Sequence, residues 1–581
     1  MKTPRTAGQS ARLYTGLVAF AVLFTPWLAG YFFLLKLRLD PLRSTPLTIL
    51  SYWTHYGDDP ATRQWLMICT SASAVIIMGF VGVILLVMNK SRSLHGDASF
   101  ATLREIKKAG LLGDFGLILG KIGRKYVLLP GQQGAICAAP PRSGKGAGLV
   151  QPNMLAWTGS VVVLDIRKES FQVTSGFRST MSDVFLFDPV SSDGRTMRWN
   201  PLTYVSDDPV LRIDDLQKIA GLISPDAAEG DSFWTASCRT LFLGLSLYLF
   251  ETPGLPRTFG ELMRQIMHSD EKTIGLHWAK IINDRAEAGT PLSSVCVSAL
   301  SDFINTSSNT QSSIRKTFTA KLELWLNPLV DAATSEDSFD LRDLRKKKIS
   351  VYIGVQPADL DRLQLIINLF FQQIIDLNTR EMPEQNPELK HQLLLLMDEF
   401  TAVGRMPIFA KAISFLGGYN IRPFIIVQGM SQLRSTYGHD VAETIQTCCA
   451  AMIVYAPKDQ KHANEVSEAL GDLTVQAKSK SSKFMQAAGM SVTASDHARR
   501  LLKAQEVKEI GQGNEIIFLE NLRPIFCSKI RYWKDEVFKR RLQPAVEVAP
   551  IKARVHMDLQ PTTVEPYVPL RIHKANQEPT R

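Results

Sequence analysis

Two long apolar segments near the amino terminus constrain the fold more than any other feature of the sequence. Leu13–Leu35 contains no charged side chain, and Trp65–Met88 is a second uncharged run. Each is long enough for a helix that crosses a hydrocarbon core of about 30 Å. The first run is longer than the apolar part of a signal peptide, and no clear cleavage site follows it. The sequence therefore predicts a membrane anchor over residues 1–93 with two transmembrane helices.

Cations beside these segments bear on their orientation. Lys2, Arg5 and Arg12 precede the first segment without any acid, and Lys90 and Arg92 follow the second. The connecting loop also carries cations, so the positive-inside rule favours one orientation only weakly. The large body after Asn89 should stay in the cytoplasm if it uses ATP, and this condition decides the orientation. We therefore expect both termini and everything after residue 93 to be cytoplasmic.

The remaining chain is long enough for two or three domains, since the whole protein has 581 residues. A net charge of +10 fits a polyanionic partner or an anionic membrane surface, and equally an ordinary solvated surface. The seven cysteines are scattered without a C-x-x-C pair, which argues against a disulfide framework or a zinc site. Residues 543–581, rich in Pro and Val, lack helical or strand periodicity and are predicted to be a flexible tail.

A glycine-rich stretch lies between two strand-like runs. Gly134–Val150 reads GAICAAPPRSGKGAGLV, its first five residues are apolar or small, and Ser160–Asp165 forms the next apolar run. Strand, glycine-rich turn, helix and strand form the unit in which a phosphate-binding loop is credible. Relative to G-x-x-x-x-G-K-[ST], the loop has Ala139 for the first glycine and Gly146 for the final hydroxyl residue. The predicted nucleotide-binding residues are Pro141, Arg142, Ser143, Gly144, Lys145, Gly146 and Ala147.

The missing hydroxyl is the more serious departure, because that group normally ligates Mg²⁺. Taken alone, the loop could be a working phosphate cradle, a decayed one or a chance turn. If it works, Ser143 or a water could replace the hydroxyl, and the sequence does not decide between them.

A second motif supports nucleotide hydrolysis. Gln392–Phe400 reads QLLLLMDEF, an apolar strand that ends in two acids, which is the Walker B form. Asp398 can hold Mg²⁺, and Glu399 can accept a proton from the attacking water. The alternative is a buried strand with two acids capping its exposed end. The two motifs in this order favour an ATPase that uses ATP and Mg²⁺.

Further apolar runs complete a sheet. Ile349–Val355, Pro423–Val427 and Ala451–Tyr455 are each separated from the next run by a segment of helix length. This pattern predicts a doubly wound, mostly parallel α/β fold. Gln428 follows the second of these runs, where its amide could sense the γ-phosphate, although a glutamine at a strand end is also an ordinary surface residue.

Several ordered motifs give the chain a family resemblance. They are LHGDASFATL (94–103), APPRSGKGAG (139–148), DIRKE (165–169), FLFDPV (185–190), RWNPL (198–202), SFWTASCRTLF (232–242), MDEF (397–400) and IIVQGMSQLRSTYG (425–438). On these the chain resembles the type IV secretion coupling proteins, the TraG family of conjugation ATPases, over nearly its whole length. That family also commonly has GKG in its loop. The main departure is Arg167–Lys168, where the family usually has Lys-Gly.

The resemblance implies an architecture and a function. The architecture is a RecA-like P-loop ATPase domain over 94–206 and 341–542, an all-helical domain inserted at 207–340, and a homo-hexameric ring. The function is that of a bacterial inner-membrane ATPase coupling DNA, a relaxase–DNA complex with its relaxosome proteins, or effector proteins to a type IV secretion channel. The basic runs 342–348 and 478–483 could line a DNA path or be ordinary solvated loops.

The resemblance also implies residue roles. Lys145 would hold the β- and γ-phosphates, and Asp398 would hold Mg²⁺. Glu399 would act on the attacking water, and Gln428 would sense the γ-phosphate. A ring ATPase needs a cation from the neighbouring subunit, for which Arg422 is a candidate alongside the alternative of a surface salt-bridging arginine.

Two other functions remain open at this point. One is a membrane-anchored substrate receptor or docking scaffold with weak or structural nucleotide binding, which the departures at Ala139 and Gly146 favour. The other is a DNA motor of the FtsK type, whose additional membrane helices and terminal winged-helix module are not evident in the sequence.

Overall fold

The computed structural model describes residues 7–88, 94–226, 232–267, 273–481 and 491–553. It divides into two units. The amino-terminal unit comprises Met1–Gly96 with Thr474–His497, and the large unit comprises Asp97–Leu473 with Ala498–Arg581. The predicted cations at 2, 5, 90 and 92 and most of the predicted tail lie outside the described residues.

The amino-terminal unit contains the helices α1 (Ala7–Lys36), α2 (Thr48–Tyr56) and α3 (Pro60–Met88). A small buried cluster joins them, including Phe33, Ile49 and Leu66. Most other apolar side chains of α1 and α3 face outward, among them Val22 and Met78, which are 65% and 70% exposed. A long helix that exposes many apolar side chains is suited to the hydrocarbon interior of a membrane.

The large unit is built on a sheet of eleven of the described strands. The strands of the chain are β1 (Leu117–Ile122), β2 (Lys125–Leu129), β3 (Gly134–Ala138), β4 (Ser160–Ile166), β5 (Asp183–Phe187), β6 (Ile349–Val355), β7 (Leu393–Met397), β8 (Ile421–Val427), β9 (Cys449–Tyr455), β10 (Asp472–Ser481), β11 (Ser491–Arg500), β12 (Asn514–Leu519) and β13 (Ile525–Ser528). β10 and β11 form a separate two-stranded sheet.

The order of the large sheet is β2-β1-β13-β12-β9-β3-β8-β7-β4-β6-β5. The strands from β9 to β5 are parallel, whereas β12, β13, β1 and β2 form an antiparallel edge. Each predicted strand is present, and the prediction of a mostly parallel α/β sheet is confirmed.

The remaining helices cover the sheet and fill the segment between β5 and β6. They are α4 (Leu103–Lys108), α5 (Gln151–Ala156), α6 (Glu169–Arg178), α7 (Pro209–Ile223), α8 (Ser232–Glu251), α9 (Phe259–Met267), α10 (Ile274–Glu287), α11 (Ser294–Ile304), α12 (Ser308–Lys321), α13 (Pro328–Ala333), α14 (Leu360–Asn378), α15 (Pro407–Ala412), α16 (Met430–Tyr437), α17 (His439–Thr447), α18 (Gln460–Ala469), α19 (Ala504–Lys508) and α20 (Glu536–Lys539).

The central strands are apolar at consecutive positions because both sheet faces are covered. On β7, Leu393, Leu395 and Met397 belong to one buried cluster. Leu394 and Leu396 belong to the cluster on the other face. Successive strand side chains point to opposite faces, so one run of leucines supplies two cores.

The segment between β5 and β6 contributes helices and no strand to the sheet in its described parts, which omit 227–231 and 268–272. Its apolar cluster is continuous with the one under the sheet. The limits of the predicted inserted domain, 207–340, therefore stay a prediction.

Three described helices are long and apolar enough to cross a membrane by length and composition: Thr15–Lys36, Pro60–Ile84 and Ser232–Glu251. The third differs from the others because half of it is buried inside the large unit. Leu241, Leu245 and Leu249 of this helix are almost fully buried. A helix that is apolar all round and packed by other helices is typical of a protein core.

The prediction of a flexible tail from 543 is wrong for residues 543–553. This segment, which we call the strap, lies extended along α6 and the loop after β5. Val546 N donates to Ser175 Oγ at 3.1 Å, and Ile551 N donates to Gly194 O at 2.9 Å. Val548 is 4% exposed. Lack of periodicity does not exclude order, because an extended chain can satisfy its amides against a neighbouring surface.

Candidate nucleotide-binding site

Three strand ends bring the sequence motifs together. β3 leads into the glycine-rich loop, β7 ends directly before Asp398, and β8 ends directly before Gln428. β8 lies between β3 and β7, and the three strands are parallel. The carboxyl ends of parallel strands lie at the same sheet edge, which is where open α/β sheets bind ligands. The loop, the acidic pair and the glutamine therefore meet.

The loop after β3 has the changes of backbone handedness found in anion-binding turns. Arg142 and Gly144 have φ angles of 62° and 86°. Lys145, which follows, has the right-handed values φ −57° and ψ −48°. Neighbouring residues of opposite handedness turn successive N–H groups toward a common point, where a phosphate can accept from them. Ala139, in place of the usual glycine, is fully buried and donates its N–H to Val427 O at 2.9 Å.

Four predicted side chains form one contacting group at this edge. Lys145 Nζ makes an ion pair with Glu399 Oε1 and lies 3.3 Å from Asp398 Oδ1. Gln428 Nε2 donates to Glu399 Oε2 at 2.6 Å. Glu399 has a φ of 57°, a left-handed conformation that is uncommon for a residue with a side chain. Both Glu399 oxygens are thus held by partners that follow β3 and β8, and the carboxylate has a defined direction.

Asp398 has the properties of a metal ligand. Burial raises the pKa of its carboxyl group, and the Lys145 ammonium opposes that rise. Its Oδ1 is buried and, although near Lys145, makes no hydrogen bond. In the described ranges no cluster of three His, Cys, Asp or Glu could hold a metal alone. The buried carboxylate oxygen of Asp398 fits Mg²⁺, which in nucleotide sites uses one or two carboxylates and completes its shell with phosphate oxygens and waters.

Two cavities flank the loop. The larger, about 990 Å³, lies between Pro140–Gly144 and the segment Lys529–Trp533. Its cationic side chains are Arg142, Lys458, Lys508, Lys529 and Arg531. The smaller, about 400 Å³, is lined by Ala147, Gln151 and Lys168, and Trp533 borders both cavities. The loop therefore has open, mostly cationic space on one side, as a polyanionic nucleotide requires.

Lys529 supports the loop from a distant part of the chain. Its Nζ donates to Ser143 O at 3.3 Å and lies 3.6 Å from the centre of the Tyr455 ring. Burial lowers the pKa of Lys529, and the carboxyl group of Glu515 opposes this. Sequence reasoning missed Lys529 and Trp533, because neither belongs to a motif and Lys529 is 386 residues from Ser143.

The sequence departure at Arg167–Lys168 has a structural explanation. Both residues are left-handed, with φ angles of 77° and 60°, so a glycine would fit the backbone of Lys168 without strain. Lys168 instead makes an ion pair of 2.8 Å with Asp188, which is 1% exposed. The same turn positions Asp165, which accepts from Ser170 N and Phe171 N at 3.0 and 2.7 Å. Burial raises the pKa of Asp165 to about 7, against these two hydrogen bonds.

Arg422 is not at this edge, and its predicted role as a transition-state cation is wrong. It lies near the start of β8, whereas Gln428 follows its end. Its side chain is fully buried and donates to the carbonyls of Leu129, Pro130 and Gln133 at 2.7, 3.2 and 2.7 Å. A guanidinium enclosed in its own subunit cannot reach a nucleotide in the neighbouring subunit.

The basic run 342–348 is partly neutralised by its neighbours. Arg342 pairs with Asp340, Lys346 with Glu388 and Lys347 with Asp343. These exposed pairs leave little net charge for a polyanion, and a DNA path here stays a prediction. The run 478–483 falls outside the residues whose side chains are described.

Comparison with known proteins decides the family. A family model described as "Type IV secretory system Conjugative DNA transfer" matches residues 99–553. The chain belongs to this family. The family resemblance expected from the motifs is therefore confirmed, and the match extends from the first residues of the large unit through the strap.

Relatives of the conjugative DNA transfer family match over most of this chain. Protein VirD4 of Agrobacterium fabrum is 28% identical over 504 residues, covering 84% of this chain and 72% of VirD4. Conjugal transfer protein TraG of Escherichia coli is 26% identical over 567 residues, covering 87% of this chain and 88% of TraG.

Solved structures share the fold. The plasmid coupling protein TrwB in complex with the ATP analogue ADPNP superimposes with a TM-score of 0.56 at 16% identity, covering 80% of this chain and 97% of TrwB. TrwB with ADP and Mg²⁺ gives a TM-score of 0.55 at 14% identity, with the same coverage of each chain. This likeness confirms the predicted fold.

Proposed function

We propose that this protein is a bacterial inner-membrane ATPase that couples a DNA or relaxase–DNA substrate, or an effector protein, to a type IV secretion channel and drives its transfer by hydrolysing ATP. The observation that carries the proposal is the contacting group of Lys145, Asp398, Glu399 and Gln428, assembled from three adjacent strand ends. The family match and the ADPNP and ADP–Mg²⁺ complexes of TrwB support it.

The roles of the four side chains follow from their chemistry. Lys145, at the end of the loop, would bind the β- and γ-phosphates, and Asp398 would hold Mg²⁺ through its buried oxygen. Mg²⁺ bound with ATP would neutralise charge that develops on the phosphates. Glu399 would accept the proton of the attacking water, since its carboxylate is aimed by contacts on both oxygens. Gln428, bonded to Glu399, would couple the γ-phosphate to that base.

The charge balance explains how the site could respond to nucleotide. Lys145 is neutralised by two carboxylates before phosphate arrives. Phosphate oxygens would compete for the ammonium with charge-assisted hydrogen bonds of the same kind and more negative charge, so binding would draw the ammonium away from Glu399. Glu399 would then keep its bond from Gln428 and gain freedom to bind water. The ion pair in this way restrains the base until ATP is bound.

The membrane location rests on α1 and α3. Both expose apolar side chains along their length, and each contains a candidate span. We propose two membrane-crossing helices, with α8 as a core helix of the large unit because its apolar side chains are buried there. Both termini and the large unit would be cytoplasmic, where ATP is available.

The proposed assembly is a homo-hexameric ring that binds relaxosome proteins, effector proteins and components of the secretion channel. Its support is family membership. Since Arg422 is enclosed, the cation that a neighbouring subunit would supply to the nucleotide has to be another residue.

The test uses the full chain reconstituted in lipid nanodiscs. Wild-type protein should bind and hydrolyse ATP, and single-stranded DNA should change the rate. Lys145→Ala should lose binding, and Glu399→Gln should retain binding while losing at least about 10²-fold in turnover, as removal of a general base typically does. Glu384→Gln, at an exposed acid, is the matched control and should behave as wild type.

The same measurements separate the proposal from a docking scaffold. A scaffold with structural nucleotide binding would show equal ATP binding in wild type and Glu399→Gln and no turnover that either mutation abolishes. That result would contradict the proposed motor function.

A further inference from the structure

The turn after Lys145 differs from an ordinary helix start. Residues Gly146–Val150 form a π-type turn, in which Gln151 N donates to Gly146 O five residues earlier. A π-type turn is wider than an α-turn and is frequent at functional sites. Here it brings the side chain of residue 151 next to residue 146, the position where the usual loop carries its hydroxyl.

The Gln151 amide fills the space beside Gly146. A Cβ built on Gly146 would have Gln151 Oε1 and Nε2 as its two nearest neighbours, at 3.9 and 4.0 Å. Gln151 is 4% exposed, and its Oε1 is buried without a hydrogen-bond partner. Burying an amide oxygen without a hydrogen-bond partner is unfavourable. The unpartnered Gln151 oxygen lies next to the phosphate loop, and a ligand bound there would give it the missing partner.

The chemistry of that oxygen matches the group that the loop lacks. An amide oxygen, like a hydroxyl, is a hard neutral ligand of the kind that Mg²⁺ accepts. Ser143 Oγ is also buried without a partner. Ser143 precedes the Gly144–Lys145 pair and lines the larger cavity. Gln151 is instead adjacent to the vacant side-chain position itself.

We infer that Gln151 supplies, through Oε1, the protein oxygen for nucleotide-bound Mg²⁺ that Ser or Thr supplies at position 146 of the usual loop. This inference rests on the proposed function, since it assigns a ligand within the same nucleotide site. The π-type turn and Gly146 then serve one purpose. Gly146 leaves space for a side chain, and the turn places the Gln151 amide in that space.

The test measures metal binding and not turnover. In nanodiscs, the full chain is titrated with ADP in EDTA and in Mg²⁺, and the Mn²⁺ affinity of the ADP complex is measured by electron paramagnetic resonance of free Mn²⁺. Gln151→Leu, similar in size but without the oxygen, should weaken Mn²⁺ binding about tenfold and leave ADP affinity in EDTA unchanged. Gln172→Leu is the matched control, because Gln172 is exposed and lines the same cavity.

A second variant guards against a folding defect. Gly146→Ser places a hydroxyl where the loop is open, since an added Cβ meets nothing closer than 3.9 Å. Combined with Gln151→Leu it should restore Mn²⁺ affinity to near the wild-type value. If Gln151→Leu keeps wild-type Mn²⁺ affinity, or if the serine fails to restore it, the inference is overturned. If the wild type shows no metal-dependent ADP binding, the proposed function itself fails.

Discussion

Replacement of Arg422 by methionine should destabilise the large unit without impairing catalysis in the molecules that remain folded. Methionine keeps the length of the side chain and removes its donors. The carbonyls of Leu129, Pro130 and Gln133 would lose their buried partner. Because Leu129 ends β2 and the other two lie in the turn between β2 and β3, the change would loosen the entry to the strand that leads into the nucleotide loop.

The magnitude follows from the two short hydrogen bonds, both 2.7 Å. Hydrogen bonds to a charged group contribute about 1.5–3 kcal/mol each, which gives about 3–6 kcal/mol. Burial of the cation opposes this, since it lowers the pKa of the Arg422 guanidinium to about 10. We therefore expect the free energy of unfolding to fall by about 2–4 kcal/mol, somewhat below the sum of the two hydrogen bonds.

The assay is urea denaturation of the fragment beginning at residue 95, followed by tryptophan fluorescence. With a slope of about 3 kcal/mol per molar urea, the midpoint should fall by about 0.5–1.5 M. Arg124→Met, at an exposed turn, is the control and should change stability by less than about 0.5 kcal/mol. ATP turnover per folded molecule should stay near wild type. A variant with a wild-type midpoint but lost turnover would refute this reasoning and restore a catalytic role to Arg422.

Three further predictions concern the same unit. Burial raises the pKa of Glu515 to about 8, so the folded state binds this proton more tightly than the unfolded state does. The free energy of unfolding should therefore fall as pH rises from about 5 to 8. Glu515→Gln should reduce this pH dependence, measured as urea midpoints. Lys168→Ala should lower the free energy of unfolding by about 1 kcal/mol more than Lys168→Gly. Both variants lose the ion pair with Asp188, but only glycine adopts the left-handed backbone without strain. Equal urea midpoints for the two variants would contradict this. Gly176→Ala should release the strap, because its Cβ would lie 2.0 Å from Pro544 O; unchanged hydrogen exchange over 543–551 would show otherwise.

The sequence was sufficient to predict the strands and that Lys145, Asp398, Glu399 and Gln428 follow strand ends at one sheet edge, for a physical reason. A strand that is covered on both faces has apolar residues at consecutive positions. The residues that follow such strands lie at the sheet edge where ligands bind. The runs before Asp398 and Gln428 therefore indicated both the elements and the chemistry. The contact between Gln428 and Glu399 could not be predicted without the strand order, and no local sequence pattern gives that order.

The remaining features depend on contacts between distant segments. Arg422 follows one residue of an apolar strand, and nothing local distinguishes a surface cation from one enclosed by carbonyls of another turn. Lys529 reaches Ser143 across 386 residues. The strap has a composition typical of flexible chains, and only its pairing with Gly194 and Ser175 holds it in place.

The place of β3 in the sheet has a consequence for biosynthesis. Ala135 pairs with Phe424 on one side and with Ala451 on the other, so both partners of the strand lie roughly 300 residues later in the chain. At about 5–20 residues per second, the ribosome needs on the order of 15–60 s to deliver them. Throughout that interval α1 and α3 are already available to the membrane insertion machinery, while β3 has no neighbour to pair with. If α1 and α3 cross the membrane as proposed, the protein is inserted long before it can bind nucleotide, and the nascent chain passes through a stage at which a fully buried central strand needs protection from aggregation.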